Sequence, residues 1–160
     1  MSVNRHRPHV LVLPEDDANR QLANGFLLHS SLSNQIQVLP EAGGWLKVLG
    51  QFQSDYVTGM MRFPGRFMVL LIDFDGQPDR LDRARREIPG HLKDRVFILG
   101  VWSEPESLKA SLGRQSESIG LAIAEDCHKN TASIWSHELL RHNAAEMERL
   151  QPAVRPILFP

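Results

Sequence analysis

Short apolar runs recur along the first two thirds of the chain, and each is followed by a stretch with helical spacing. Four of these runs have the length and apolar content of buried strands: His9–Leu13, Ile36–Leu39, Phe67–Ile72 and Val96–Leu99. Helical spacing and capping residues predict helices at Ala18–His29, Trp45–Phe52 and Pro78–Glu87, and between Ser103 and Gly113. This alternation is typical of an α/β, Rossmann-like fold with a mostly parallel sheet of about four strands and helices on both faces.

The rest of the chain, about residues 116–160, is predicted to be a helical extension of a single domain that covers residues 1–160. Ser116–Cys127 favours a helix, although its apolar middle is also compatible with an edge strand. Thr131–Leu150 is predicted to form one helix that packs through Trp135 and Leu139. The tail Gln151–Pro160 contains three prolines, so we predict that it is not helical and that it docks on the core through its last apolar residues.

Composition places the chain among ordinary globular proteins. It has 160 residues, of which 42% are hydrophobic and 23% are charged, and no apolar run is long enough to span a bilayer. Cys127 is the only cysteine, which excludes an internal disulfide and is typical of a reducing cytoplasm. The formal net charge of −1 means that binding to DNA or RNA requires a local basic patch. We expect a cytoplasmic protein with no membrane contact, and a protein partner or a homo-oligomer stays open.

The strand with the clearest chemical signal is Phe67–Ile72, because two carboxylates follow it. Asp73 and Asp75 are two residues apart, and residues i and i+2 of an extended chain point the same way. Ligands bind at the carboxyl ends of strands in open α/β sheets. Two hard oxygen ligands at that edge suit Mg²⁺ or Mn²⁺. The alternative is that these acids only cap the next helix or lie in a solvated turn.

Further candidate residues follow the other strands. Glu15 comes after the first strand, in a run of acids that can also cap the next helix. Gly43 and Gly44 stand between a strand and a helix, where glycine either lets the backbone approach a ligand or makes a tight turn. Arg80 and Arg83 lie on the helix predicted after the third strand. Arginines there can bind phosphate or pair with neighbouring acids on a solvated face.

In this order, the motifs resemble the Toprim domain of topoisomerases, primases and overcoming-lysogeny-defect nucleases. The family pattern is a glutamate after the first strand, a glycine-containing turn after the second and Asp-x-Asp after the third. This chain has Glu15, then Gly43-Gly44, then Asp73-Phe74-Asp75, so that the resemblance covers roughly residues 9–113. It implies a Toprim-like fold in which Asp73 and Asp75 bind a divalent metal. It also implies that Glu15 is a general acid/base or a further ligand in phosphodiester chemistry on DNA or RNA.

Two positions depart from the Toprim pattern. Asp16 directly follows Glu15, where the family usually has glycine, and Asn19 stands where such nucleases often have another acid. Asn19 can coordinate through its amide oxygen but brings no charge. These departures favour a third interpretation, in which the chain is a non-catalytic interaction protein with a Toprim-type fold.

A rival resemblance is to response-regulator receiver domains. The run Glu15–Asp17 resembles their acidic pair, and Asp73 resembles their phosphorylated aspartate. The lysine-proline pair that follows the fifth strand of a receiver is missing, because Lys129 is followed by Asn130. This resemblance implies a Mg²⁺-dependent signalling domain that is phosphorylated at Asp73.

Overall fold

Four parallel strands form the centre of the structure. The computed structural model describes residues 2–160. The strands are β1 (His9–Pro14), β2 (Ile36–Val38), β3 (Arg66–Leu71) and β4 (Val96–Leu99). They are hydrogen-bonded in the order β2-β1-β3-β4, and every neighbouring pair is parallel. The predicted α/β, Rossmann-like architecture is therefore confirmed.

Helices cover both faces of this sheet. They are α1 (Asp17–Phe26), α2 (Trp45–Gln51), α3 (Val57–Arg62), α4 (Asp79–Arg86), α5 (Pro105–Leu112), α6 (Ser116–Lys129) and α7 (Ala144–Leu158). A π-helical turn at Phe52–Tyr56 joins α2 to α3, and short 3₁₀ turns occur at Gly90–Arg95 and Arg141–Asn143. Within residues 2–160, none of these helices has both the length and the apolar character needed to cross a membrane.

Alternation along the strands divides the core into two layers. Leu13 and Leu70 pack with α2, α3 and α4 on one face of the sheet. Val12 and Val69 point the other way and pack with α1, α6 and α7. A smaller apolar cluster joins α1, α5 and α6. Strands β1, β3 and β4 are thus largely buried on both faces, as their continuous apolar runs predict.

Glycine allows α1 and α6 to lie against each other with almost no space between them. A Cβ atom at Gly120 would lie 2.1 Å from the carbonyl oxygen of Leu22. A Cβ atom at Gly25 would lie 2.5 Å from the carbonyl oxygen of Glu117. Both neighbours are backbone atoms, which cannot rotate away as a side chain can. The crossing of these two helices therefore requires the glycines that sit in their interiors, despite the entropic cost of glycine there.

The prediction of one helix over Thr131–Leu150 is wrong. Residues 131–140 form turns, and α7 begins only at Ala144. The cause is the buried carboxylate of Asp126, which accepts four hydrogen bonds from the turn. Its donors are the Thr131 hydroxyl and the backbone N–H groups of Ser133, Ile134 and Trp135. Because these donors are satisfied outside a helix, the turn is stable. Trp135 and Leu139 still pack against the core, but from this turn.

The prediction that the tail Gln151–Pro160 is not helical is also wrong. Helix α7 continues to Leu158 and contains Pro152 and Pro156. Its inner face carries buried apolar residues four apart, namely Leu150, Val154 and Leu158. Burying each of these side chains is worth about 1.5–3 kcal/mol, which offsets much of the cost of the prolines. The predicted docking of the tail is confirmed, since its last apolar residues are buried.

The outer edge of β4 is closed by side chains rather than by another strand. The Asn143 Oδ1 atom accepts a hydrogen bond from the Gly100 N–H (3.2 Å), and its Nδ2 donates to the Gly100 carbonyl (2.9 Å). Glu146 Oε2 accepts from the Ile98 N–H (2.8 Å), and Arg149 donates to the carbonyl of the first β4 residue (3.1 Å). Within residues 2–160, no fifth strand pairs with β4. Side chains from the start of α7, and from the turn before α7, take the place of that strand.

Replacing Gly120 by alanine should destabilise the fold by about 1–3 kcal/mol, because the new methyl group overlaps the Leu22 carbonyl and the helices must separate. Gly50→Ala is the matched control, since a Cβ at this helical position meets nothing within 4 Å. That control should be neutral or slightly stabilising, because alanine favours helix. Urea denaturation measures both values, and equal stabilities for the two variants would contradict the close crossing.

Replacing Asn143 by leucine should cost roughly 2 kcal/mol or more, because it leaves the N–H and C=O of Gly100 buried without partners. Asn24→Leu, at an exposed position of α1, is the control and should change stability little. Chemical denaturation of both variants checks this prediction. A cost for Asn143→Leu no larger than that of the control would show that β4 does not depend on this side chain.

Candidate functional site

A polar cleft of about 290 Å³ lies at the carboxyl edge of the sheet. Its walls come from the segments that follow all four strands and from the start of α4. The residues that line it are Glu15, Asp16, Gly43, Gly44, Asp73, Asp75, Arg80, Ser103 and Glu104. Four apolar strands thus end at one edge and deliver polar side chains to one place, which is where open α/β sheets bind their ligands.

Three carboxylates meet at the centre of this cleft. Oxygen atoms of Glu15, Asp16 and Asp73 lie within 4.8 Å of one another. Strands β1 and β3 are paired to their last residues, Pro14 and Leu71. The residues that follow the two strands are therefore neighbours. Glu15 Oε2 accepts a hydrogen bond from the Asp73 backbone N–H at 2.9 Å, which continues this pairing through a side chain.

Asn19 links two of these carboxylates from the first turn of α1. Its Nδ2 donates to Asp16 Oδ1 and to Asp73 Oδ1, each at 2.9 Å. Asp16 is also the N-cap of α1, since the same oxygen accepts the Asn19 N–H. Asn19 is completely buried, and its Oδ1 has no hydrogen-bond partner within residues 2–160. Asp16 therefore both caps the helix and belongs to the carboxylate cluster.

Burial makes charge in this cluster costly. It raises the pKa of Asp73 to about 8, an effect that the hydrogen bond from Asn19 opposes and the nearby charge of Glu15 increases. Burial also raises the pKa of Glu15, against the hydrogen bond from the Asp73 backbone. Burial thus keeps protons on both neighbouring carboxylates to a higher pH than water would. A bound cation would oppose this effect by favouring the charged forms.

Asp75 lies at the rim and not in the cluster. Its backbone is left-handed, with φ at 52°, and its side chain is 69% exposed. Its Oδ2 is 3.9 Å from Nη2 of Arg80. Convergence of Asp73 and Asp75, as the sequence predicts, requires extended chain through both residues, but β3 ends at Leu71 and the chain turns at Asp75–Gly76. The structure therefore brings Asp73 to Glu15 and leaves Asp75 apart from them.

Gly43 and Gly44 support the cleft through their backbone. Both have positive φ, 98° and 151°, which explains glycine at these positions. Their N–H groups donate to the carbonyl oxygen of Glu15, at 2.8 and 3.1 Å. These amides therefore fix the end of β1, and they are not free to bind a phosphate. Of the two roles that the sequence left open, the structure favours the tight turn.

Arg80 is the cation that lines the cleft. Its Nη1 donates to the Asp73 carbonyl at 2.7 Å, and its guanidinium lies 4.6 Å from the centre of the Trp45 ring. Its side chain is only 10% exposed, and its Nε has no partner in the described part of the chain. Arg83 packs on the same indole at 5.1 Å but is exposed and does not line the cleft.

Sequence reasoning missed Asp16, Asn19 and Ser103 as parts of the site. Asp16 and Asn19 had cues in their positions after β1, yet the helix cap and the departures from the Toprim pattern argued against them. Ser103 was not predicted as a site residue, because a serine at the start of a predicted helix indicates an N-cap. Glu104 is the actual N-cap residue of α5, and the buried Ser103 Oγ has no hydrogen-bond partner among residues 2–160.

No protein-family model, curated protein or solved structure matches this chain. The Toprim and receiver resemblances therefore remain predictions from sequence motifs.

The pKa of Asp73, raised from 3.8 to about 8, predicts how stability changes with pH in the absence of metal. The folded protein keeps this proton while the unfolded chain loses it near pH 4, so this contribution to stability is complete below pH 4 and lost as pH rises to about 8. The Asp73→Asn variant has no carboxyl group to titrate at this position, so it does not lose this stability as pH rises. Its stability relative to wild type should rise by about 1 kcal/mol or more between pH 5 and pH 9.

Urea denaturation in EDTA at several pH values measures this difference. Asp75→Asn changes an exposed carboxylate next to the same cleft and should follow the wild-type curve. Parallel curves for wild type and Asp73→Asn would show that Asp73 does not hold a proton in the folded state.

Proposed function

We propose that the cleft binds Mg²⁺ or Mn²⁺ and hydrolyses phosphodiester bonds in DNA or RNA, as the Toprim resemblance implies. The observation that most supports this is the cluster of Glu15, Asp16 and Asp73, with carboxylate oxygens within 4.8 Å of one another and Arg80 in the same cleft. Carboxylates can bind a cation, and the guanidinium can bind a phosphate. Phosphoryl chemistry uses both.

The donor set suits a hard divalent cation. Carboxylate oxygens are the preferred ligands of Mg²⁺ and Mn²⁺, and Asp73 with Asp16 or Glu15 would hold the ion. The buried Oδ1 of Asn19, without a partner in residues 2–160, is a further oxygen donor in the same cluster. When bound, the ion supplies neutralisation of the phosphate charge and activation of a water molecule.

The remaining groups have separate roles in the proposal. Glu15 accepts the proton, because its carboxylate lies beside those of Asp16 and Asp73 and burial raises its pKa, which makes it a stronger base. Arg80 donates to a phosphate oxygen, and its packing on Trp45 holds the guanidinium in place before substrate binds. Arg83, which is exposed and packs on the Trp45 indole, contacts the next phosphate along the bound DNA or RNA. Gly43 keeps Glu15 in position through its backbone.

Two observations favour the receiver alternative, in which Asp73 is phosphorylated. The cluster contains two acids after β1 and one after β3, which is the arrangement of the receiver resemblance, and the strand order matches that of the flavodoxin-like sheets. Against it, side chains of Asn143, Glu146 and Arg149 occupy the edge of β4 where a fifth strand would pair. For this reason we place the receiver function second.

Labelled single-stranded and double-stranded DNA and RNA, incubated with Mg²⁺, Mn²⁺ or EDTA, test the proposal directly. We expect metal-dependent cleavage that Asp73→Asn reduces roughly 100-fold or more, because the variant loses a ligand of the ion. Asp75→Asn is the matched control and should reduce the rate much less, since Asp75 lies outside the cluster. The melting temperature should rise with millimolar Mg²⁺ in wild type and rise less in Asp73→Asn.

Other outcomes favour the alternatives. Incubation with acetyl phosphate and Mg²⁺, followed by intact-mass measurement, detects phosphorylation of Asp73, and a covalent phosphate without nuclease activity would support the receiver function. If the protein neither cleaves nucleic acid nor becomes phosphorylated, and Mg²⁺ does not change its melting temperature, the nuclease and receiver functions are both excluded. The non-catalytic interaction protein is then the remaining interpretation.

A further inference from the structure

A second group of metal-ligating side chains lies away from the cleft. His29 follows the C-terminal end of α1, and Glu125 and His128 lie on α6, three residues apart and thus on one helix face. His29 Nε2 is 3.1 Å from Glu125 Oε2, and His128 Nδ1 is 3.8 Å from Glu125 Oε1. One ligand atom from each residue lies within 4.8 Å of the other two.

We propose that His29, Glu125 and His128 bind one zinc ion, which links the end of α1 to α6. Two imidazoles and one carboxylate form a donor set that proteins use for Zn²⁺, whereas Mg²⁺ prefers oxygen ligands alone. The paired spacing Glu-x-x-His on a helix is itself a known way to direct two ligands at one ion. Three protein ligands leave a fourth position for water.

The packing around the cluster supports the proposal. The Phe159 ring lies 5.2 Å from the His29 ring and 4.9 Å from the His128 ring, and the two imidazoles are 5.0 Å apart. Both imidazoles are therefore held in place without a metal. The His128 Nδ1 atom is buried and has no hydrogen-bond partner within residues 2–160, although it lies 3.8 Å from Glu125 Oε1. The Glu125 side chain is 46% exposed, so an ion can reach the cluster from solvent.

Two contacts must change when zinc binds. The Ser31 N–H donates to His29 Nδ1 at 3.1 Å, so Nε2 carries the proton of the neutral ring and donates to Glu125. Zinc at Nε2 displaces that proton, and Nδ1 then takes a proton, so the Ser31 N–H must turn away. Lys129 Nζ, 3.4 Å from Glu125 Oε1, also competes with the ion for this carboxylate. Lys129 is 65% exposed and can move into solvent.

The cluster is independent of the catalytic proposal. Helix α1 starts beside the cleft at Asp16 and ends before His29. Its 10 residues span about 15 Å at 1.5 Å per residue, so the two sites are at opposite ends of the helix. An ion at His29 stabilises the contact of α1 with α6 without touching the carboxylates of the cleft.

Titration of metal-free protein with ZnCl₂, followed by calorimetry, tests this site in an Asp73→Asn background that weakens metal binding in the cleft. We expect one zinc per chain, and Co²⁺ in its place should give the visible absorption of a four-coordinate site. His128→Gln and Glu125→Gln should each weaken binding at least about 10-fold. His91→Gln, at an exposed histidine outside the cluster, is the control and should leave the affinity unchanged.

Lys129→Gln adds a test of the opposite sign. Removing the competing cation should strengthen zinc binding about two- to fivefold, in line with the strength of an exposed ion pair. Zinc should also shift the amide NMR resonance of Ser31. If His29→Gln unfolds the protein, the exposed Glu125→Gln variant still decides the matter. Absence of one tightly bound zinc, or an affinity that neither Glu125→Gln nor His128→Gln changes, would overturn the proposal.

Discussion

The rest of the structure depends on how the exposed edge of β4 is closed. Asn143 and Glu146 pair with the backbone of β4 and of Gly100, and this pairing anchors the start of α7 and the turn before it. The turn before α7 also supports the segment after β4, because the Leu139 carbonyl accepts a hydrogen bond from the Trp102 N–H at 2.8 Å. The segment pairs with the chain around Asp75, which forms the rim of the cleft. The C-terminal extension thus positions the candidate site without contributing a residue to its lining.

In the cleft, backbone pairing and burial together produce carboxylates with raised pKa values. Parallel pairing of β1 with β3 forces Glu15 and Asp73 together, and the fold then shields them from water. The neutral amide of Asn19 partly stabilises the negative charges, as a cation would, because it donates hydrogen bonds to both Asp16 and Asp73. This amide lowers the cost of the charges but does not remove it, because the pKa of Asp73 stays raised to about 8. A cation bound here would lower the remaining cost by favouring the charged forms.

Where sequence prediction failed, specific hydrogen bonds and packing outweighed helical periodicity and the preferences of single residues. Thr131–Leu150 has a helical pattern, but the carboxylate of Asp126 binds the backbone of the turn that follows α6. The tail contains prolines, but the sheet buries one face of α7. Asp126 is close in sequence to the N–H groups that it binds, but its burial, like the packing of α7 on the sheet, arises only in the tertiary structure. The grouping of Glu15 with Asp73 was predictable, because both follow buried strands, whereas the left-handed turn at Asp75 depends on pairing with the segment after β4.

By itself, the sequence determined the fold class and the edge of the sheet where chemistry can occur. Continuous apolar runs must be buried on both faces, so parallel strands covered by helices follow from the pattern, and the acids after Leu13 and Ile72 must lie at the carboxyl edge. Only the tertiary structure decided which polar groups meet there. Hydrogen bonds and burial act between residues far apart in the chain, and Asn19 and Asp73 are 54 positions apart. They come together because α1 packs against the sheet.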